Sequence, residues 1–250
     1  MDFLSHGFFG WVGTSASRLA VALVATVVFT AFARLLRGVT SSGALIGALI
    51  CLCLFIAVGP IAVAMLVLVF VVTWMCTRLG YRRKERLGTA ERRSGRNAAQ
   101  VFANLSVSAA SAILYASEQR LLFAVALTAA LAEAAADTVS SEFGQASCDS
   151  ARLITTGQVV SAGTNGAIST PGSIAGIAAA VIVAALPLLT GFIPVAAFCV
   201  AISASIAGMF FDSYLGAQFE RRGRLTNNAV NFLSTLFAAT LGATVWPLVS

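Results

Sequence analysis

Of the chain's 250 residues, 58% are hydrophobic and 10% are charged, with a formal net charge of +6 and a mean hydropathy of +0.90. Soluble domains carry about 25% charged residues, so this composition excludes a soluble globular fold and makes the chain an integral membrane protein. The apolar runs are about twenty residues long and lack the ten-residue alternation of outer-membrane strands, which excludes a barrel and predicts an all-α polytopic bundle.

Residues 1–16 hold Asp2 and no basic stretch ahead of Phe8, Phe9 and Trp11, a pattern that suits an interfacial anchor better than a cleaved signal peptide. Apolar runs then predict eight membrane helices at 17–36, 43–59, 61–79, 97–117, 121–143, 172–190, 193–216 and 228–248. Only Gly59-Pro60 parts the second from the third, and Gly191 to Pro194 the sixth from the seventh, so a count of seven stays open. The whole chain reads as one membrane domain with three long polar loops, basic at 80–96 and 217–227 and Gly/Thr-rich at 144–171.

Under the eight-span count, 14 of the 16 basic residues fall in the loops after spans one, three, five and seven, leaving only Arg18 and Arg120 on the other face. The positive-inside rule then puts those loops in the cytoplasm and both termini outside. The basic charge is explained by topology and anionic lipid headgroups, and no nucleic-acid partner is expected. The five cysteines lie mostly inside apolar runs, without a CxxC pair, and read as packing residues.

Polar residues gather at that same face. Span five carries Glu133, Asp137 and Ser140 or Ser141 at helical spacing, with Glu142 about 140° round the helix from Asp137. Span seven ends in Asp212 after a face of small residues, Ser205 and Gly208, that continues to Gly216. Acids at membrane depth are kept where they pair or bind, and these have only oxygen donors around them, which favours Mg2+ over zinc or copper. Span four opens with the stripe Arg93, Asn97, Gln100, Asn104 and Ser108, and span eight answers with Asn227, Asn231 and Ser234. Such stripes line a polar cavity or hydrogen-bond between helices; both readings stay open.

The loop after span five contains Thr155, Thr156, Thr164, Asn165 and Gly166 and leads to Pro171 at the start of span six. Gly- and hydroxyl-rich segments bind anions through backbone N–H groups, and a helix N-terminus adds to that preference. Thr226 to Asn231 echoes Thr164 to Ser169, hinting at two related half-sites. No P-loop is present and Lys84 is the only lysine, so P-loop and protein-kinase sites are excluded, and the single His6 lies at the far end from the acids, which argues against His-based chemistry.

Acids for a divalent cation, a loop for phosphates and arginines in a membrane setting together describe phosphoryl or nucleotidyl transfer to a lipid. The segments RNAAQVFAN at 96–104, ADTVSSEFG at 136–144, RLITTGQVVSAGTNGAIS at 152–169, FDSYLGAQFE at 211–220 and NNAVNFL at 227–233 resemble the membrane family of plant phytyl-phosphate kinase and its uncharacterised bacterial, archaeal and animal relatives. That resemblance implies conversion of an isoprenoid monophosphate to its diphosphate, with CTP as donor by analogy to the more distantly similar phytol and dolichol kinases. It implies Asp137, Glu142 and Asp212 as ligands for Mg2+ or nucleotide phosphates; the helical spacing on span five, not the resemblance, adds Glu133 to the metal set. Thr155, Thr156, Thr164, Asn165 and Gly166 would contact phosphates, and Arg96, Asn97, Gln100, Asn104, Asn227 and Asn231 would lie near the acceptor or nucleotide. The loop QASCDSA at 145–151 departs from relatives in lacking a Lys-Pro pair. A cytidylyltransferase acting on a lipid phosphate and an ion-coupled transporter or flippase are the competing readings. Small-xxx-small faces at Gly43/Gly47 and Gly172/Gly176 suit packing within the chain or in a homo-oligomer.

Overall fold

The computed structural model describes residues 15–250; the aromatic segment around Phe8 and Trp11, and His6, lie outside the described residues. The helices are α1 (Ser15–Leu35), α2 (Ser41–Ala57), α3 (Pro60–Arg78), α4 (Tyr81–Leu87), α5 (Ala98–Glu118), α6 (Leu121–Ser147), α7 (Thr170–Leu189), α8 (Val195–Leu215) and α9 (Asn227–Val249). Seven of these are long and apolar enough to cross a membrane among the described residues. The predicted second span is the shorter α2, whose 17 residues measure about 25 Å.

Packing centres on α6. In its most apolar stretch 83% of the residues are buried, against 17–39% in the other membrane-length helices. Alanines make this possible: Ala124, Ala129, Ala130, Ala132, Ala135 and Ala136 are fully buried, so neighbouring backbones approach closely on every side. The Gly172/Gly176 face packs within the chain, and so does Gly43 on the other face, whereas Gly47 is open apart from Val101. Side chains at Gly172 and Gly176 would collide with α6 carbonyls, and one at Gly43 with the Arg96 carbonyl.

Three features add to the expected all-helical bundle. The basic loop folds into α4. The Gly/Thr-rich loop forms a small antiparallel sheet in which β1 (Ser150–Leu153) lies between β2 (Val159–Ser161) and β3 (Ala167–Ile168). A π-helical turn, Gly216–Glu220, extends α8.

The loops after α1, α3, α6 and α8 meet at one end of the bundle. Val39 bridges to Arg96, whose carbonyl accepts from the Thr40 N–H at 2.9 Å and whose N–H donates to the Gly38 carbonyl at 3.0 Å. Arg83 pairs with Asp149 at 2.6 Å. Gly166 sits directly on the backbone of Ala217.

Candidate functional site

Where these loops meet, a polar cavity of about 410 Å³ opens among α5, α6, α8 and α9, a size in the range of small-ligand sites. α6 contributes Asp137, Ser140, Ser141 and Glu142, and α8 contributes Asp212 and Ser213. Asp137 and Asp212 line the cavity from two different helices, close enough for their carboxyls to act on each other, and Arg96 is the cation nearest in effect to Asp137. The Arg96 guanidinium also donates to Thr138 Oγ1 at 3.3 Å.

The other walls hold Gln100 and Asn104 from α5 and Asn227 and Asn231 from α9. Asn231 Nδ2 donates to Asn104 Oδ1 at 3.4 Å, and Ser234 Oγ donates to Asp212 Oδ2 at 3.1 Å. The two polar stripes therefore do both things expected of them: they tie α5 to α9 and they line a cavity. Asn97 does not reach the cavity wall. It caps α5, accepting from Gln100 N–H at 3.1 Å while Gln100 Oε1 accepts from Asn97 N–H at 2.9 Å, a reciprocal capping box.

Thr164, Asn165 and Gly166 form a further wall. Gly166 adopts a φ of 75°, and a Cβ there would meet the backbone of Ala217, so this position needs glycine twice over. That contact holds the loop against the π-helical turn, beside Asp212. Gly166→Ala is expected to strain the loop by about 1–3 kcal/mol, measured as a lowered melting temperature in detergent with little change in helical content. The echo between Thr164–Ser169 and Thr226–Asn231 brings both segments to this cavity without equivalent geometry: Thr226 caps α9, whereas in the first segment Ser169 caps α7.

Thr155 and Thr156 lie away from the cavity, exposed in the turn joining β1 to β2, where Thr156 Oγ1 accepts from the Gln158 N–H at 3.3 Å. Glu133 lies one turn below Asp137, buried beside Ser234 and Thr235, and its Oε1 has no hydrogen-bond partner. Glu142 reaches the cavity but is already paired with Lys84, whose Nζ lies 2.5 Å from Glu142 Oε2. Sequence reasoning left Lys84, Glu91 and Glu220 without a role. Glu91 accepts from Gln100 Nε2 at 2.8 Å, and Glu220 borders the cavity from the π-helical turn. The signal for Glu220 was its place at the end of the FDSYLGAQFE segment.

No three His, Cys, Asp or Glu side chains converge as a ready-made metal cage among the described residues. Mg2+ does not require one. It is held through one or two carboxylates, substrate phosphates and water, and Asp137 and Asp212 with nearby amide and hydroxyl oxygens suit that mode. The unpartnered buried oxygen Asn231 Oδ1, on the cavity wall, fits the same donor chemistry, whereas the unpartnered Glu133 Oε1 lies outside the cavity.

The fold and site define a polytopic α-helical membrane protein with an acid-lined polar cavity at the loop end of its bundle. The sequence profile of the integral membrane protein family DUF92 matches residues 24–239, and the chain belongs to that family, the one its five segments resemble. It is 40% identical over 117 residues to the uncharacterized membrane protein MJ0933 of Methanocaldococcus jannaschii, covering 46% of this chain and 48% of the relative. It is 33% identical over 170 residues to the uncharacterized membrane protein sll0875 of Synechocystis, covering 66% of each. It is 30% identical over 215 residues to Protein VTE6, chloroplastic, of Arabidopsis thaliana, covering 80% of this chain and 63% of the relative. The chain thus spans about half to two thirds of the length of these curated relatives. No solved structure matches it.

Proposed function

We propose that the protein is a Mg2+-dependent isoprenyl-phosphate kinase, transferring the γ-phosphoryl group of a nucleoside triphosphate, CTP in this reading, to phytyl monophosphate or a related isoprenoid monophosphate. The family resemblance supplies the reaction class. The observation that carries it onto this chain is the pair Asp137 and Asp212 in a cavity that also holds Arg96 and the Gly166 loop.

In this reaction an acceptor phosphate oxygen bonds to the γ-phosphorus while the bond to the β-phosphate oxygen breaks, giving lipid diphosphate and CDP. The attacking oxygen is already anionic, so no residue need remove a proton. That suits a site without histidine. Asp137 and Asp212 would hold Mg2+, which supplies charge neutralisation at the transferring group. Arg96 would hold the acceptor phosphate in line and stabilise charge as the bond breaks. Thr164, Asn165 and Gly166 would present hydroxyl, amide and backbone N–H groups to the nucleotide phosphates. With the basic loops in the cytoplasm, the cavity would face the cytoplasmic nucleotide pool. A coupled carrier needs a site reachable from both sides near the midplane, and this cavity lies among the loops of one end.

The test is incubation of detergent-purified protein with Mg2+, γ-labelled CTP and phytyl or geranylgeranyl monophosphate. Label is expected in the lipid diphosphate, with CDP released. Pyrophosphate release and a CDP-lipid would mean cytidylyl transfer instead. Folded protein that transfers nothing from any of the four nucleoside triphosphates would overturn the reading.

A further inference from the structure

Beside the polar cavity, on the other side of Arg96, runs a second depression among α1, α2, α3 and α5. Its floor is apolar, built from Phe29, Ala33, Ala44, Leu66, Val69 and Phe70, with Phe29 and Phe70 edge to face at 5.6 Å. Gly43 and Gly47 on α2 keep one wall free of side chains. From Leu66 to Arg78 along α3 the groove runs roughly 18 Å; its volume is about 90 Å³, so a hydrocarbon chain lying along it would keep one side open to the surrounding bilayer.

Its mouth has the opposite chemistry. Arg37, Arg78, Arg92 and Arg96 line it, and none of them is in an ion pair with an acid among the described residues. Arg78 is held by the carbonyls of Leu36 and Arg37 at 3.3 and 3.1 Å and lies 5.9 Å from the centre of the Trp74 ring. Groove and polar cavity share three residues, Glu91, Arg96 and Asn104. An apolar channel with a cationic mouth that continues into a phosphate-transfer cavity is complementary to one kind of molecule: a single hydrocarbon chain ending in an anionic phosphate.

We propose that this groove seats the hydrocarbon tail of the acceptor lipid phosphate, with the phosphate passing the arginine mouth at Arg96 to enter the polar cavity. The proposal rests on the phosphoryl-transfer reading of that cavity. It assigns the two ends of the acceptor to different walls, so acceptor chain length is selected by α1, α2 and α3, none of which carries the acids. A nucleotide has no use for the apolar floor. A bulk two-chain lipid has no use for the passage between the arginines and the acids.

The experiment uses the full chain in detergent with a geranylgeranyl monophosphate bearing a diazirine at the far end of its tail. After illumination, adducts are expected on peptides covering residues 29–47 and 66–78, reduced by excess unlabelled geranylgeranyl monophosphate. Adducts on α7, α8 or α9, or labelling displaced equally well by phosphatidylcholine, would overturn the proposal. In a second measurement, Gly47→Phe places a ring in the groove at a position where an added Cβ meets only Val101, at 4.0 Å. It is expected to lower kcat/KM for geranylgeranyl monophosphate about tenfold more than for dimethylallyl monophosphate, the scale of a hydrophobic-pocket effect. Equal losses for the two acceptors would count against the groove. Competed labelling at 29–47 and 66–78 without transfer would uphold the groove and remove the kinase reading; transfer with labelling elsewhere would do the reverse.

Discussion

Asp137→Asn and Asp212→Asn are each expected to lower phosphoryl transfer about 10³-fold, the loss that follows removal of one well-placed electrostatic contact from a transition state. Each substitution keeps the shape of the side chain and removes its charge. The two carboxyls are close enough to act on each other, and like charges at such range oppose each other unless a cation or a shared proton lies between them. Neutralising one therefore relieves repulsion in the cation-free protein, so the bundle is expected to stay folded with an unchanged or raised melting temperature. Loss of activity with retained stability is the signature of a ligand-binding acid. Full activity in either variant would remove that residue from the proposed site. Glu133→Gln is expected to be milder, because Glu133 lies beneath the pair and borders no part of the cavity. A loss equal to that of Asp137→Asn would move the cation one helical turn deeper.

The features legible in the sequence are those set by the membrane. Apolar runs of about twenty residues leave helices as the only spanning structure, and the breaks at Gly59-Pro60 and Gly191 to Pro194 both divide helices, α2 from α3 and α7 from α8. Asp137, Asp212, Asn104 and Asn231 stood out because polar groups in such runs need a reason to be there, and all four border one cavity. Loop geometry was hidden. Strands of four, three and two residues are too short to carry an alternating pattern, and their pairing left Thr155 and Thr156 in an exposed turn while bringing Asn165 to the cavity. The groove was hidden too, because Phe29, Leu66 and Phe70 look like any other membrane-facing residues until α1 and α3 are set side by side. The central position of α6 was visible only as an excess of alanine.

Lys84→Met is expected to cause the largest loss of stability among single substitutions in the loops, about 3–5 kcal/mol, because it removes a fully buried ammonium from all its partners and leaves the largely buried Glu142 carboxyl unpaired. Of the eight basic residues from Arg78 to Arg96, Arg82, Arg86, Arg92 and Arg93 are exposed and Arg78, Arg83 and Arg96 are half-buried. Lys84 differs: its side chain is fully buried. Its ammonium donates to the carbonyls of Cys76 and Thr77 at 3.0 and 2.8 Å, at the end of α3, as well as to Glu142. One cation thus closes α3, which favours positive charge at its C-terminus, and anchors α4 and the basic loop to α6 about one turn beyond Asp137 and Thr138. Thermal unfolding in detergent should show the single variants Lys84→Met and Glu142→Leu both destabilised, and the double variant recovering part of the loss because the stranded charge is gone. Recovery stays partial, since the carbonyls of Cys76 and Thr77 remain without their donor. Additive losses in the double variant would mean that the two side chains act independently. If Glu142 served only the cation, Lys84→Met would leave the melting temperature unchanged and shift only the Mg2+ requirement.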